Sequence, residues 1–193
     1  VILTYTNRKG VQHYLRAVKA KAGGDRFYFS SKAEGPFLDR IPEGYEIHES
    51  PNGRVSVRRK RKSLITDEEL KTVDDGLKRF TSLQPYQYRI DHDRNAITAF
   101  LLDADLGQIA SKIHPDLAED HEYLSELAAR LGTCTAMMRF CLTDKEKRTF
   151  HTERFCFVGG IDDWIPVGQG GPLLFLVGKF VKHLGKESFY ELD

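Results

Sequence analysis

The sequence predicts an α+β fold: an antiparallel β meander at the N-terminus, then helix–hairpin (αββ) units with their helices on one sheet face. Three observations carry this expectation. The first sixty residues alternate apolar and polar side chains between turns built on Gly, Pro and Asn. Beyond them, stretches with apolar residues at helical spacing are each followed by a pair of β-type stretches. No β-α-β run opens with a glycine-rich turn, which argues against a doubly wound nucleotide fold.

Residues 1–6 alternate like a strand and lack the basic segment of a secretory signal. Residues 11–20 and 26–31 are rich in β-branched and aromatic residues and are separated by Gly23-Gly24. A second hairpin joins 45–49 to 54–59 through Ser50-Pro51-Asn52-Gly53. A two-residue Asn-Gly loop would set Ile47 against Arg58 and mix apolar with charged groups on one face. A three-residue loop fits better, with Pro51 in a type I turn and Gly53 in the left-handed conformation. Ile47 then faces Val57 and Glu46 faces Arg58; Val55 and Val57 point to the core, and Arg54, Ser56 and Arg58 point outward.

After the basic run Arg58-Arg59-Lys60-Arg61-Lys62 the pattern changes. Thr66-Asp67-Glu68-Glu69 is a capping box, followed by Leu70, Val73, Leu77 and Phe80 at helical spacing. Gly76 inside this helix weakens it by about 1 kcal/mol. Pro85 opens a hairpin of 86–90 with 97–102 that turns near Asp93-Arg94-Asn95. Residues 106–113 fit helix and strand equally. Pro115 suits the first turn of a helix carrying Leu117, Leu124, Leu127, Ala128 and Leu131, which Gly132 stops. Strands at 133–142 and 149–158 follow, joined by Asp144-Lys145-Glu146-Lys147. Gly168-Gln169-Gly170-Gly171-Pro172 reads as a tight turn into a helix over 173–184, apolar on most sides and so packed inside the domain. Gly185 caps that helix, and Phe189-Tyr190 reads as a last short strand.

Of 193 residues, 40% are hydrophobic and 30% charged, a globular balance in a chain long enough to fold without a metal or a disulfide. No run approaches the ~18 apolar residues of a membrane span. Cys134, Cys141 and Cys156 are odd in number and form no C-x-x-C pair, the usage of buried thiols in a reducing, cytoplasmic compartment. Cys134 and Cys156 become neighbours if their two strands pair. The net charge of +1 hides a split: 14 Lys and Arg against 6 Asp and Glu in residues 1–63, and 15 against 22 in residues 64–193. The expected organisation is therefore a basic β-rich module, 1–63, and an acidic α+β body, 64–193. Such asymmetry suits a polyanion-binding module, and equally two lobes that attract each other.

The stretches FYFSSKAEG, IPEGYEIHESPNGRVSVRR and ERFCFVGGIDDWIPVGQGGPLLFLVGKFVKHLGKESFYEL resemble a bacterial protein family that carries no assigned function. The resemblance touches both ends of the chain. It implies a bacterial cytoplasmic origin and brings no activity, cofactor or catalytic residue.

The basic run is the strongest local signal. Lys and Arg at this density neutralise phosphates and release counterions, and Arg54 and Arg58 on one strand face extend the patch toward Arg26 and Lys32. Tyr28 and Tyr45 offer rings for base stacking; a solvated linker is the plainer alternative. Asp91-His92-Asp93 lies at a hairpin tip, and His114 and His121 lie near Asp116, Glu119 and Asp120 on one helix, a ligand chemistry suited to Zn, Mn or Fe. The spacing matches no metal motif, and the strand period separates His92 from its flanking acids. His151-Thr152-Glu153 lies across a hairpin from Cys141, where a Cys–His nucleophile pair would need direct contact and a lowered thiol pKa. Gly168–Pro172 lacks the Lys and Ser/Thr of a phosphate loop, and Asp162-Asp163-Trp164 reads as a core anchor with acidic neighbours. No G-x-S-x-G, kinase or deaminase signature is present.

The sequence thus points to a non-catalytic binding or accessory protein that engages a nucleic acid or an acidic protein surface through Arg54, Arg58, Arg59, Lys60, Arg61 and Lys62. It predicts no cofactor, assigns no metal ligand and gives no membrane association. Two alternatives stand beside it. One is a metal-dependent, hydrolase-like enzyme drawing on His92, His114, His121 or His151. The other is an interaction protein whose sheet edge pairs with a partner or with itself.

Overall fold

Alternating side chains in the first sixty residues produce five antiparallel strands. The computed structural model describes residues 2–20, 23–157 and 162–193; Val1 and Val158, expected as strand ends, lie outside them. The chain divides into two compact units, Val1–Arg61 with Ala129–Leu131, and Lys62–Ala128 with Gly132–Asp193.

In the first unit β1 (Thr4–Thr6), β2 (Gln12–Lys19) and β3 (Asp25–Ser30) form an antiparallel sheet in sequence order. Leu15, fully buried, faces Phe29 across β2 and β3. The hairpin β4 (Tyr45–Glu49) and β5 (Val55–Arg59) has the register expected of a three-residue loop, with Ile47 opposite Val57 and Glu46 opposite Arg58. Gly53 sits at φ 76°, and its N–H donates to Ser50 O at 2.9 Å, the left-handed closure that only glycine takes without strain.

Two polar side chains tie this hairpin to the turn between β1 and β2. Asn7, almost fully buried, donates from Nδ2 to Gly53 O at 2.7 Å and accepts at Oδ1 from the N–H groups of Lys9 and Val11. Glu49 accepts from the Arg8 N–H at 2.9 Å, from Arg8 Nε at 2.8 Å and from the Tyr5 hydroxyl at 2.8 Å. Burial alone would raise the Glu49 pKa, but the donors from Arg8 and Tyr5 outweigh it and hold the carboxyl below its ordinary range.

In the second unit Thr66 and Glu69 close the expected capping box on α1 (Asp67–Phe80). The strands β6 (Tyr88–His92) and β7 (Ala96–Leu102) follow, then the helices α2 (Leu106–Ser111) and α3 (His121–Leu131), the latter in this unit as far as Ala128. Next come β8 (Cys134–Asp144), β9 (Thr149–Cys156), β10 (Asp163–Pro172) and the helix α4 (Leu173–Phe180). The five strands form an antiparallel meander in the order β10-β9-β8-β7-β6. Val73 and Leu77 of α1 and Leu176 and Val177 of α4 bury against Ile97, Met138, Phe140 and Phe150 of the sheet.

The mixed α+β class holds, while the finer arrangement differs from expectation. The helix–hairpin order recurs as α3–β8–β9, but α2 precedes it and β10 follows, and both hairpins belong to one five-stranded sheet. The helices also do not share one face. Leu101 joins the α1–α4 cluster and its neighbour Leu102 joins the α2–α3 cluster, and successive strand residues point to opposite faces.

Local chemistry accounts for the other differences. Residues 106–111 are helical because Asp105 accepts from the Gln108 N–H at 3.0 Å, a side-chain N-cap. The helix expected from Pro115 is broken into a 3₁₀ turn, Pro115–Ala118, and α3, because Asp120 supplies a fresh cap to the Tyr123 N–H at 2.9 Å. The glycines expected as a loop before the last helix continue β10 instead. A bulge between Val167 and Gly171 absorbs them, and Gly171 and Pro172 pair with Phe150 and Thr149 of β9. The segment expected as one helix over 173–184 is α4 followed by a 3₁₀ turn, Val181–His183, and Phe189 lies in a further 3₁₀ turn, Glu187–Phe189, not in a strand. Cys134 pairs in register with Leu102 and Cys156 with Asp163, so the two are not cross-strand partners of each other. Among the described residues no helix is long and apolar enough to cross a membrane.

Gly76, a weak helix former by propensity, is explained by the packing of α1 on α4. A Cβ at this position would lie 2.1 Å from Val177 Cγ1. Gly76→Ala is therefore expected to destabilise by about 1–3 kcal/mol in urea unfolding, despite the helix propensity it gains. That penalty should disappear in a Val177→Ala background, where the clashing methyl is gone. In the first unit, Glu49→Gln should cost about 1–3 kcal/mol at neutral pH by removing the charge that three donors were placed to meet. Because the folded-state pKa of Glu49 is depressed, its contribution is complete above the ordinary glutamate range and is lost as pH falls through the folded value. A stability–pH profile should show wild type and Glu49→Gln converging in acid.

Candidate functional site

Two places gather chemistry-bearing side chains, one in each unit. In the first unit, β3 ends one sheet and β5 borders the two-stranded hairpin, so both are edge strands. Between them lies an open cleft of about 480 Å³ lined by Arg26, Phe27, Tyr28, Tyr45, Arg54 and Val55, among others. Alternation along β3 turns Phe27 inward, where its ring meets Tyr45 edge-on at 5.1 Å, and leaves Arg26 and Tyr28 exposed. The Arg59 guanidinium lies 6.0 Å from the centroid of the Tyr45 ring.

All six basic residues singled out by the sequence are exposed. Arg58 Nε is paired with Glu46 Oε1 at 2.7 Å across the hairpin. Arg54, Lys60, Arg61 and Lys62 have no ion-pair partner among the described residues. The cleft thus combines the exposed cations Arg26 and Arg54 with the exposed ring of Tyr28, and carries one carboxylate, Asp25, in its lining, a composition suited to phosphates and unpaired bases. Lys32 is exposed but does not line it.

In the second unit the register of β8 and β9 sets Cys141 opposite His151 and Arg139 opposite Glu153. Because side chains at i and i+2 share a face, all four lie together, on the side away from Phe140 and Phe150. The Glu153 carboxylate is their hub. Its Oε1 meets His151 Nε2 at 2.8 Å, and its Oε2 accepts from Arg139 Nε and, at 3.7 Å, from Cys141 Sγ. The Arg139 guanidinium lies 4.4 Å from the centroid of the Trp164 ring, which in turn meets Phe155 edge-on at 5.2 Å.

The electrostatics of this cluster favour a protonated thiol. Burial, then the adjacent Glu153 carboxylate, push the Cys141 thiol up to about 12. Burial would also raise Glu153, but His151 and Arg139 hold it below its ordinary range. A thiol in this state is a poor nucleophile, so contact between Cys141 and a histidine-bearing strand does not make an activated pair.

The remaining histidines are dispersed. Asp91 Oδ1 accepts from the His92 N–H within β6, and Asp93 Oδ1 accepts from the N–H groups of Asn95 and Ala96, so Asp93 serves the turn after β6. His114 Nδ1 lies 3.5 Å from Asp116 Oδ2 on an exposed 3₁₀ turn, and the His121 ring lies 6.3 Å from Tyr86. Asp163 Oδ1 accepts from the Trp164 N–H, and Trp164 is half-buried beside Arg139 rather than a core anchor. Among the described residues, only Cys141, His151 and Glu153 form a group of three with metal-ligating side chains. The sequence placed Cys141 near His151 and cast Trp164 as a core anchor, but did not single out Arg139; setting Phe140 against Thr152 in the hairpin would have found Arg139 opposite Glu153.

No protein family, curated protein or solved structure matches the chain, and the resemblance to a bacterial family gains no support from these comparisons.

With its thiol pKa far above neutral, Cys141 is expected to resist iodoacetamide in the folded protein at pH 7 and to be alkylated only after unfolding. Peptide mapping by mass spectrometry reads this directly, and rapid native labelling would contradict the assigned electrostatics.

Proposed function

We propose that this protein is a non-catalytic binding protein whose first unit takes up a single-stranded nucleic acid. The observation that carries the reading is the cleft between β3 and β5, where Arg26 and Arg54 accompany the exposed ring of Tyr28. Arginines offer planar, always-charged donors to phosphate oxygens and stack on rings and bases. Aromatic faces accept any base, because every base has a π-face. From the cleft the basic series continues along the chain through Arg58, Arg59, Lys60 and Arg61 to the end of this unit, extending the cationic surface that a backbone could follow; Lys62 opens the second unit.

Both flanking strands also expose edge backbone groups, the feature an acidic peptide would use to add a strand. The two ligands make different demands. A peptide needs the strand edges and little from Tyr28, whereas a nucleic acid needs the cations and the ring.

Fluorescence anisotropy with a labelled single-stranded oligonucleotide tests the proposal. Affinity should fall linearly on a log–log plot against salt, with a slope of about −0.7 for each phosphate neutralised. Charge reversal at Arg59, Lys60 and Arg61 should flatten the slope as well as weaken binding, and Tyr28→Ala should cost about 1–3 kcal/mol with the slope kept. Binding that ignores salt, or that survives the charge reversal, would overturn the nucleic-acid reading.

A further inference from the structure

The hub at Glu153 lies in the second unit and takes no part in the proposed nucleic-acid cleft. Its residues supply three metal-ligand types from two adjacent strands: a thiol, an imidazole and a carboxylate. One ligating atom from each of Cys141, His151 and Glu153 lies within 4.8 Å of the other two. A tetrahedral zinc ion with bonds of about 2.0–2.3 Å holds its ligand atoms about 3.3–3.8 Å apart. His151 Nε2 to Glu153 Oε1, at 2.8 Å, is shorter than that range, and Cys141 Sγ lies 3.7 Å from the other carboxylate oxygen, Oε2. Spreading the His151 and Glu153 side chains apart would bring that pair to the spacing an ion needs.

We propose that Cys141, His151 and Glu153 form a binding site for a divalent transition-metal ion of the zinc class. Sulfur and imidazole donors select this class over magnesium and calcium, which prefer all-oxygen shells. The scaffold is rigid where it matters. β8 and β9 are interior strands of the five-stranded sheet, with hydrogen-bonded neighbours on both sides. Cys141 and His151 are direct cross-strand partners, and Glu153 lies two residues along the same strand and face.

Arg139 is the obvious objection, since a guanidinium beside the carboxylate competes with a cation. The division of labour between the two carboxylate oxygens answers it. Oε2 is the oxygen held by Arg139, and Oε1 is the one that meets His151. Ligation through Oε1 exchanges the contact with His151, and loss of the thiol proton ends the Cys141 contact with Oε2, while Arg139 stays on Oε2, where it fixes the carboxylate in place. Arg139 is itself held by the Trp164 ring, so it serves as a positioning residue outside the ligand shell.

The proton balance is simple. The metal takes the place of the Cys141 S–H proton, which leaves to solvent. His151 Nε2–H, the donor to the Glu153 carboxylate in the ion-free state, passes its proton to Nδ1 by exchange with solvent, and His151 binds as neutral imidazole through the freed lone pair of Nε2. The charge of the ion reverses the local preference for a protonated thiol, as a coordinating cation does. Three protein ligands leave a fourth position for water, and the His151 side chain keeps 35% exposure toward solvent.

Titration of the full chain with Co²⁺ tests the site, because thiolate coordination adds a sulfur-to-cobalt charge-transfer band in the near ultraviolet. The expected result is a band that saturates at one equivalent, is displaced by Zn²⁺ and is lost in Cys141→Ser. The same band should persist in Cys134→Ser and Cys156→Ser. His151→Ala and Glu153→Gln should weaken Co²⁺ binding at least tenfold, and circular dichroism without metal should show each variant folded. Absence of the band in wild type would overturn the proposal, as would its loss in Cys134→Ser or Cys156→Ser with retention in Cys141→Ser. The oligonucleotide affinity of the first unit should be the same in Cys141→Ser and wild type, which keeps this test separate from that of the proposed function.

Discussion

Phe140 faces Thr152 across β8 and β9, and one residue further along Cys141 faces His151. Side chains alternate between the two faces of a strand, so the register that buries Phe140 and Phe150 also delivers Cys141, His151, Glu153 and Arg139 to the opposite side. A slip of one residue would exchange the two sets, placing an ion pair in the core and aromatic rings in the polar cluster. The core therefore enforces the cluster. Thr152 shows how strongly: it is fully buried, and its hydroxyl finds no hydrogen-bond partner among the described residues. Such burial costs roughly 1–3 kcal/mol, which the flanking Phe140, Phe150 and Val167 offset by their own complete or near-complete burial.

The same sheet is held against its helices by contacts that leave little room for adjustment. Gly76 lets α1 approach α4 to the point where a single methyl would overlap Val177. At the N-terminal end of α1, Glu69 closes the capping box and also accepts from Arg148 Nε at 2.9 Å, while Arg148 Nη2 donates to Leu64 O at 3.0 Å. Arg148 stands at φ 50° in the turn between β8 and β9, an unusual conformation for a side-chain-bearing residue. One carboxylate thus caps a helix and anchors the hairpin that carries the cluster. In the first unit Asn7 and Glu49 do the equivalent work, joining two short sheets that share few apolar residues beyond Leu15 and Val55 at full or near-full burial.

What was legible in the sequence was local. The register of β4 with β5 follows from Pro51 and Gly53, and the start of α1 from Thr66 and Glu69, because each depends on residues at most a dozen positions apart. Asp105 and Asp120 carry equally local information as caps, and they went unread because apolar spacing was followed past them. The glycines of 168–171 mislead for a physical reason: they supply a bulge in an edge strand, and a bulge and a loop share the same composition. Gly76 is different again, since its cause lies on a helix a hundred residues away. The two-faced arrangement of helices was hidden likewise, because it depends on whether Leu101 or Leu102 faces a given helix. The polar cluster was half visible, through Cys141 and His151, and its hub at Glu153 required the exact strand pairing.

The cations of the first unit differ in what they can offer a ligand. Arg54 and Arg58 are separated along the strand by about 13 Å, at roughly 3.3 Å per residue. Screening in physiological salt acts over about 8 Å, so the two behave as separate charges rather than as one pooled field. Arg58 is already engaged by Glu46, but exposed pairs of this kind contribute only about 0–1 kcal/mol, and a phosphate can displace the carboxylate at little cost. Arg59 is drawn toward Tyr45, which restricts its head group and turns it into part of an aromatic–cationic surface. Lys60 is still held to the hairpin, its N–H donating to Gly44 O at 2.8 Å, whereas Arg61 lies beyond that bond at the end of the unit and Lys62 opens the second one. A rigid duplex would need all of these charges aligned on one lattice. A flexible single strand needs only that each phosphate meet a nearby cation, and the uneven mixture of fixed and unfixed charges suits that ligand better.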